Sequence, residues 1–212
     1  MIGMKNKKDE GKLFIISGPS GAGKGTICNR IIEETELEFS VSMTTRAPRE
    51  GEVDGVHYYF VDEETFVMAV AEGGLLENAE VFGNRYGTPK GPVLEKLSAG
   101  TDILLDIDVQ GALQIKENYP DGVFIFLVPP SMGELRRRLE NRGTETREKI
   151  ELRLSKARTE MAYVDSYDYL VVNDDLDEAV NRVKAIILAE HSRVNVTGEE
   201  LVKEYSTETE EE

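Results

Sequence analysis

The segment Gly18-Pro19-Ser20-Gly21-Ala22-Gly23-Lys24-Gly25-Thr26 follows directly on the apolar run Leu13-Phe14-Ile15-Ile16-Ser17 and leads into a helical pattern. Strand, glycine-rich loop and helix, in that order, is the layout of a phosphate-binding P-loop. Glycines let the backbone curl so that successive N–H groups converge on one anion, and the following helix contributes the positive end of its dipole. Lys24 supplies a mobile point charge for the outer phosphates of a nucleoside triphosphate. The loop departs from the common Gly-Lys-Ser/Thr form at Gly25, where a hydroxyl would ligate magnesium. Two arrangements stay open: Thr26 takes over that task, or phosphates, waters and a carboxylate elsewhere hold the ion. Magnesium retains several waters and needs few protein ligands, so either is sufficient.

Length and charge narrow the classes. The 212 residues, 40% hydrophobic, suit one domain or a core with inserted subdomains. No apolar stretch approaches the roughly 20 residues needed to cross a bilayer. Met1 to Lys12 is charged and has no apolar signal core, which predicts a chain that stays in the cytosol. The single cysteine, Cys28, excludes an internal disulfide and a multi-cysteine zinc site. A net charge of −16 argues against nucleic-acid binding, which needs a basic face. Against that acidic background arginines cluster, first at Arg46 and Arg49, then at Arg136, Arg137, Arg138, Arg142, Arg147, Arg153 and Arg158. Such clusters hold anions. For Arg136, Arg137 and Arg158 a solvated, salt-bridged helix face is the simpler reading.

Four apolar runs read as buried strands: Leu13–Ser17, Ile103–Ile107, Val123–Val128 and Tyr169–Val172. Helical patterns separate them, through Leu135 and Leu139, through Ile150, Leu154, Ala157 and Met161, and through Ala179, Val183, Ile186 and Ile187. Buried strands alternating with helices predict a parallel sheet covered on both faces. Residues 39–88 break the rhythm with clustered turn signals and a short aromatic strand, Val56–Val61, and read as a small mixed insertion. The P-loop then sits at the carboxyl ends of the core strands, facing the insertion across a cleft.

Within the insertion, Arg46 and Arg49 stand three apart with hydroxyls before them. Each can present a planar fork to a phosphate, which suits a second, dianionic phosphate distinct from the one at the P-loop. Tyr58 and Tyr86 can add phenolic donors. Seven segments in order now carry a resemblance: Gly18–Thr26, Ser42–Glu52, Gly55–Phe60, Tyr86–Thr88, Leu105–Gly111, Arg142–Thr146 and Val172–Asp175. The chain resembles the guanylate kinase family over about residues 12–190.

That resemblance implies the nucleoside monophosphate kinase α/β fold, a parallel core sheet flanked by helices, with a GMP-binding insertion and a mobile lid. It divides the chain into a flexible N-terminus at 1–11, a core at 12–38 and 89–198 that includes a lid at about 133–160, the GMP-binding part at 39–88, and an acidic, disordered tail at 199–212. It implies phosphorylation of GMP by ATP with Mg2+, and leaves dGMP and a monomeric or homo-oligomeric state open. On the donor side it implies that Gly18, Pro19, Ser20, Gly21, Ala22, Gly23, Lys24, Gly25 and Thr26 hold ATP, with Asn173 and Asp175 near the adenine edge. Lys24, Arg138, Arg142 and Arg153 would neutralise the transferring phosphoryl, and Arg142 would also lie against adenine. On the acceptor side, Arg46, Arg49, Tyr58 and Tyr86 would hold the GMP phosphate, with Glu52 in support. Glu77 would read the guanine N–H groups, with Ser42, Thr88 and Asp108 beside it and Asp106 also in the GMP-binding set. Asp106 would order waters around magnesium, with Thr26 the other candidate contact.

Three rival readings differ in what they require. A GTPase fits Asp108-Val109-Gln110-Gly111 but lacks a guanine-reading Asn-Lys-x-Asp and gives Arg46 and Arg49 no purpose. Another nucleoside monophosphate kinase shares the Gly-Lys-Gly-Thr loop, against which Glu77 and Ser42 argue for guanine. A non-catalytic phosphopeptide-binding relative would have lost ATP-site residues, whereas Lys24, Arg142 and Arg153 are all present. His57 and His191 have no acid or cysteine at a telling spacing.

Overall fold

A computed structural model describes residues 10–81, 83–141 and 146–194, together with 198 and 202. Leu13–Ser17 forms β1, every residue of it buried. Strand residues alternate faces, and both faces of β1 are covered. Phe14 and Ile16 join Ile27, Ile31, Val180 and Val183 in one cluster. Leu13 and Ile15 join Val93, Leu97, Ala112 and Ile115 in the other. Central strands of this kind read as unbroken apolar runs, which is why the predicted strands at 13–17 and 123–128 coincide with the observed ones; the run at 169–172, expected to be buried, forms a strand at the sheet edge with Leu170 55% exposed.

In chain order the elements are β1, α1 (Lys24–Glu34), β2 (Glu38–Phe39), β3 (Met43–Thr44), β4 (Tyr59–Phe60), α2 (Glu63–Ala71), β5 (Leu75–Val81), β6 (Asn84–Pro89) and α3 (Lys90–Ser98). Then follow β7 (Ile103–Asp106), α4 (Val109–Asn118), β8 (Val123–Val128), α5 (Met132–Asn141), α6 (Arg147–Met161), a short 3-10 turn, β9 (Tyr169–Val172) and α7 (Leu176–His191). The five-stranded sheet runs β2-β7-β1-β8-β9 with every pairing parallel. A second sheet, β4-β3-β6-β5, mixes a parallel β3–β4 pair with antiparallel partners. The parallel sheet flanked by helices is the predicted fold class.

Two sequence expectations need correction. The strand read at Val56–Val61 is only Tyr59–Phe60, because residues 53–58 turn back on themselves through Gly55 N–H to Tyr58 O and His57 N–H to Val53 O. His191 is not without an acid: its Nε2 meets Asp102 Oδ2 at 2.5 Å, across 89 residues of chain. Sequence spacing cannot show such a contact.

Helices α5 and α6 pack on each other through Leu135, Leu139, Ile150, Leu154 and Ala157. The exposed side of the pair carries the ion pairs expected of Arg136 and Arg137, to Glu151 and Glu134 respectively.

Candidate active site

The loop between β1 and α1 is held in shape from both sides. Gly18 (φ 141°) lies so close to β8 that a Cβ would stand 2.0 Å from Leu127 O, and Gly23 (φ 96°) so close to Asn173 that a Cβ would stand 2.3 Å from Nδ2. No other residue type fits either place. Asn173, 6% exposed, donates from Nδ2 to Ala22 O at 2.7 Å. It therefore braces the loop from beneath, a role beyond the adenine edge the resemblance implied. Lys24 folds back on its own loop, donating to Gly18 O at 2.7 Å and Pro19 O at 3.5 Å. Its ammonium thus stands at the mouth of a cleft of about 450 Å³ lined by Gly18, Ser20, Gly23, Thr26, Asp106 and Asp108, among others.

Two of the predicted arginines reach this loop. Arg153 of α6 donates to Ser20 Oγ at 2.6 Å. Arg138 of α5 donates to Asn173 O at 2.9 Å and Ala22 O at 3.4 Å, and its Nε is held by Glu134 at 2.7 Å. Arg138 also lines an adjoining hollow of about 410 Å³ with Gly21, Gly23, Thr26, Asn141, Asn173 and Asp174. Asp174, and not the expected Asp175, faces that hollow; Asp175 caps α7 by accepting from Glu178 N–H at 3.0 Å. Arg142 lies outside the described residues.

In the insertion, Arg46 and Glu52 form a fork-to-fork pair at 3.0 and 2.8 Å, and Glu52 also accepts the Arg49 N–H at 2.6 Å. The Arg46 guanidinium beside it holds the Glu52 carboxyl down at about 2. Arg46 stands over the Tyr58 ring at 5.6 Å, and Tyr58 meets Tyr86 edge-on at 6.0 Å. Arg46, Tyr58 and Tyr86 thus converge on one patch, with the Arg49 backbone joined to it through Glu52. Ser42 enters this sheet through its carbonyl, which accepts Tyr59 N–H at 2.8 Å.

Glu77, 7% exposed, is the buried acid of the insertion. Its Oε1 accepts from Thr88 Oγ1 at 2.7 Å, and its Oε2 lies against Gly111, where a Cβ would approach to 3.0 Å. Burial raises its pKa, the Thr88 bond opposes that, and the Asp108 charge adds to it. Asp108 caps α4 by accepting Gly111 N–H at 2.9 Å. Its carboxylate both lines the P-loop cleft and acts on Glu77, so it joins the two halves of the site.

A hard divalent cation fits the donor set. Thr26 and Asp106 offer oxygens to the same cleft, and Asp106 Oδ2 would lie 3.6 Å from a Cβ at position 25, so Gly25 leaves room beside the carboxylate. Asp106 opens to the cleft yet is crowded by protein, which raises its pKa against the pull of Lys24. No group of three or more acidic, His or Cys side chains able to hold a metal occurs among the described residues. An ion brought by the nucleotide and keeping most of its waters matches this supply.

Sequence reasoning did not find Glu134, Lys156 or Glu160, of which the last two line the P-loop cleft. Their only sequence signal is helical spacing to Arg138 and Arg153, which the pattern of α5 and α6 contains.

Comparisons with known proteins agree with this geometry. A family model for guanylate kinase matches residues 10–190. The chain is 54% identical over 189 residues to a guanylate kinase of Caldanaerobacter subterraneus subsp. tengcongensis, covering 89% of this chain and 92% of that one. It is 51% identical over 187 residues to a guanylate kinase of Clostridium tetani, with 88% and 90% covered. Among solved structures, the guanylate kinase from Anaplasma phagocytophilum superposes with a TM-score of 0.69 at 38% identity, over 88% of this chain and 89% of that one. A family match spanning the P-loop, the Arg46–Glu52 patch and the Glu77 pocket places the chain plainly: it belongs to the guanylate kinase family.

Proposed function

We propose that the cleft divides the substrates of the guanylate kinase reaction, ATP-dependent phosphorylation of GMP to GDP, between its two walls. The Lys24 loop takes the ATP phosphates, and the patch of Arg46, Arg49, Tyr58 and Tyr86 takes the GMP phosphate. The observation that carries this reading is Glu77: a buried carboxylate, bonded to Thr88 and linked through Asp108 to the P-loop cleft.

An ionised carboxylate only accepts hydrogen bonds. Guanine offers it two adjacent N–H donors, whereas adenine offers a ring lone pair at N1. Leaving one Glu77 oxygen buried and unpaired gives discrimination on the order of 10⁴. In this reading Ser42 and Asp108 complete the base site. dGMP keeps both the guanine and the phosphate that this reading recognises, and is the second acceptor to test.

Little covalent chemistry is needed. An oxygen of the GMP phosphate, already anionic, attacks the γ-phosphorus in line; a new P–O bond forms and the bond to the ADP oxygen breaks. No general base is required, and positioning with charge stabilisation supplies the rate. Lys24 exchanges its loop carbonyls for phosphate oxygens. Arg153 and Arg138, already on the loop, face the charge that spreads over the transferring group, and Arg142 joins them in this reading. Asp106 and Thr26 would hold a Mg2+ ion brought with ATP, and that ion would supply charge neutralisation at the phosphates. No helix among the described residues is long and apolar enough to cross a membrane, and we place the reaction in the cytosol, where both nucleotides are available.

The deciding experiment couples ADP formation to a spectroscopic signal, with ATP, Mg2+ and each of GMP, dGMP, AMP and UMP. GMP and dGMP should be turned over and AMP and UMP should not. Equal rates with AMP would remove Glu77 from base selection.

A further inference from the structure

Arg153, Lys156 and Glu160 stand three and four residues apart on α6, and therefore share one face of the helix. That face is turned to the P-loop, because Arg153 donates to Ser20 and because Lys156 and Glu160 line the same cleft as Gly18 and Lys24. Glu160 is out of place there. Its side chain is 9% exposed, on a wall that the preceding reading assigns to polyphosphate, where a carboxylate repels the ligand.

Among the described residues its only side-chain partner is Lys156, with Nζ 3.4 Å from Oε1. Burial raises the Glu160 pKa, and Lys156 and Lys24 act against that, which places the Lys156 pair within electrostatic range of the P-loop lysine. The Lys156 side chain is 61% exposed. An ion pair that open adds little to stability and does not offset a buried carboxylate. The arrangement is explained if the carboxylate aims the ammonium. Lysine has three donors, and one spent on Glu160 leaves two for phosphate oxygens.

Resting on the function proposed above, we infer that Lys156 is a further catalytic cation of the phosphoryl-transfer site, presented to the transferring group by α6 and aimed by the positioning residue Glu160. A group that meets charge developing only in the transition state acts on kcat more than on KM.

The test is steady-state ADP formation by the full chain, comparing wild type with Lys156→Met, Lys156→Arg, Glu160→Gln and the double variant Lys156→Met/Glu160→Gln. Lys156→Met should lower kcat roughly 10–100-fold, with KM for ATP and for GMP changed less than about threefold. Lys156→Arg should recover most of the rate, which shows that folding and the cation, not the methylene stem, are at issue. Glu160→Gln should reproduce part of the loss, and the double variant should be no slower than Lys156→Met, since the two act as one unit. Unchanged kcat in Lys156→Met overturns the proposal, as does a double variant whose losses multiply. A wild-type chain inert toward GMP overturns the underlying function instead; an active wild type matched by Lys156→Met overturns this inference alone.

Discussion

Arg153 donates to Ser20 Oγ at 2.6 Å, which fixes α6 against the phosphate loop across 133 residues of sequence. The serine stands where a phosphate oxygen would compete for the same guanidinium. Arg153→Ala should therefore lower kcat by roughly 10³, while Ser20→Ala, which leaves the arginine in place, should change it by less than about tenfold. Steady-state rates with saturating ATP and GMP check both. Equal effects would make the contact structural.

Glu52 holds Arg46 along two bonds and the Arg49 backbone along a third. Glu52→Gln keeps the shape and removes the charge that orients the fork. The expected result is a KM for GMP raised by roughly tenfold, with KM for ATP unaffected. Because the folded Glu52 carboxyl lies at about 2, below its ordinary 4.5, the pair's contribution is present above that ordinary value and fades only as pH falls toward 2. The variant should thus differ from wild type by a constant factor across neutral pH, measured as initial rates against GMP concentration.

Glu77 is shifted in the opposite direction, upward, by burial. A raised carboxyl takes its proton at higher pH than an exposed glutamate near 4.3, and a protonated Glu77 no longer accepts both guanine N–H groups. Lowering the pH should therefore weaken wild-type kcat/KM for GMP sooner than it weakens Glu77→Gln. The substrate's own phosphate titrates equally in both, so the ratio of the two profiles isolates the residue. A ratio flat from neutrality down to the exposed-glutamate range would show that Glu77 does not face the base.

Much of this was legible in the sequence because local rules governed it. β1 and β8 are apolar runs buried on both faces, β9 is an apolar run at the sheet edge, and the P-loop is a contiguous motif whose glycines answer to single backbone positions. The fork chemistry of Arg46 and Arg49 was likewise local, whereas Glu52's supporting place came from the family resemblance. What the residues alone did not show is set by contacts between distant segments. Glu77 sits in a run of three buried strand residues, Leu75, Leu76 and Glu77, and nothing in that pattern says that a carboxylate is inside. It is accommodated because Gly111, 34 positions on, has no side chain to fill the space. Asn173 reads as a polar residue after a strand, and only the fold shows it under Ala22. The family resemblance supplied the roles that spacing did not.

Glu134 binds Arg137 and Arg138 together, and its carboxyl is held at about 2 by both guanidinium groups. Arg138 alone continues to Asn173 O and Ala22 O, so Glu134 fixes the direction from which that arginine meets the loop. Glu134→Gln should lower kcat by roughly three- to tenfold, whereas Arg137→Gln, which breaks the outer pair only, should leave it near wild type. Parallel steady-state measurements separate the two, and an equal loss from Arg137→Gln would place the effect in the stability of α5.

Gly23 and Asn173 offer a test that needs no substrate. Alanine at position 23 meets two penalties, a left-handed φ of 96° and a Cβ 2.3 Å from Asn173 Nδ2. The backbone penalty alone is about 1–3 kcal/mol, and the clash adds to it. Asn173→Ala removes the clash but also the bond to Ala22 O. In the double variant the second loss has already been forced by the first, so the combined destabilisation should fall short of the sum by at least about 0.5 kcal/mol. Urea unfolding of the four chains measures it. Simple additivity would mean that the loop can shift away from Asn173 freely, and that the brace described above does not hold the phosphate site in shape.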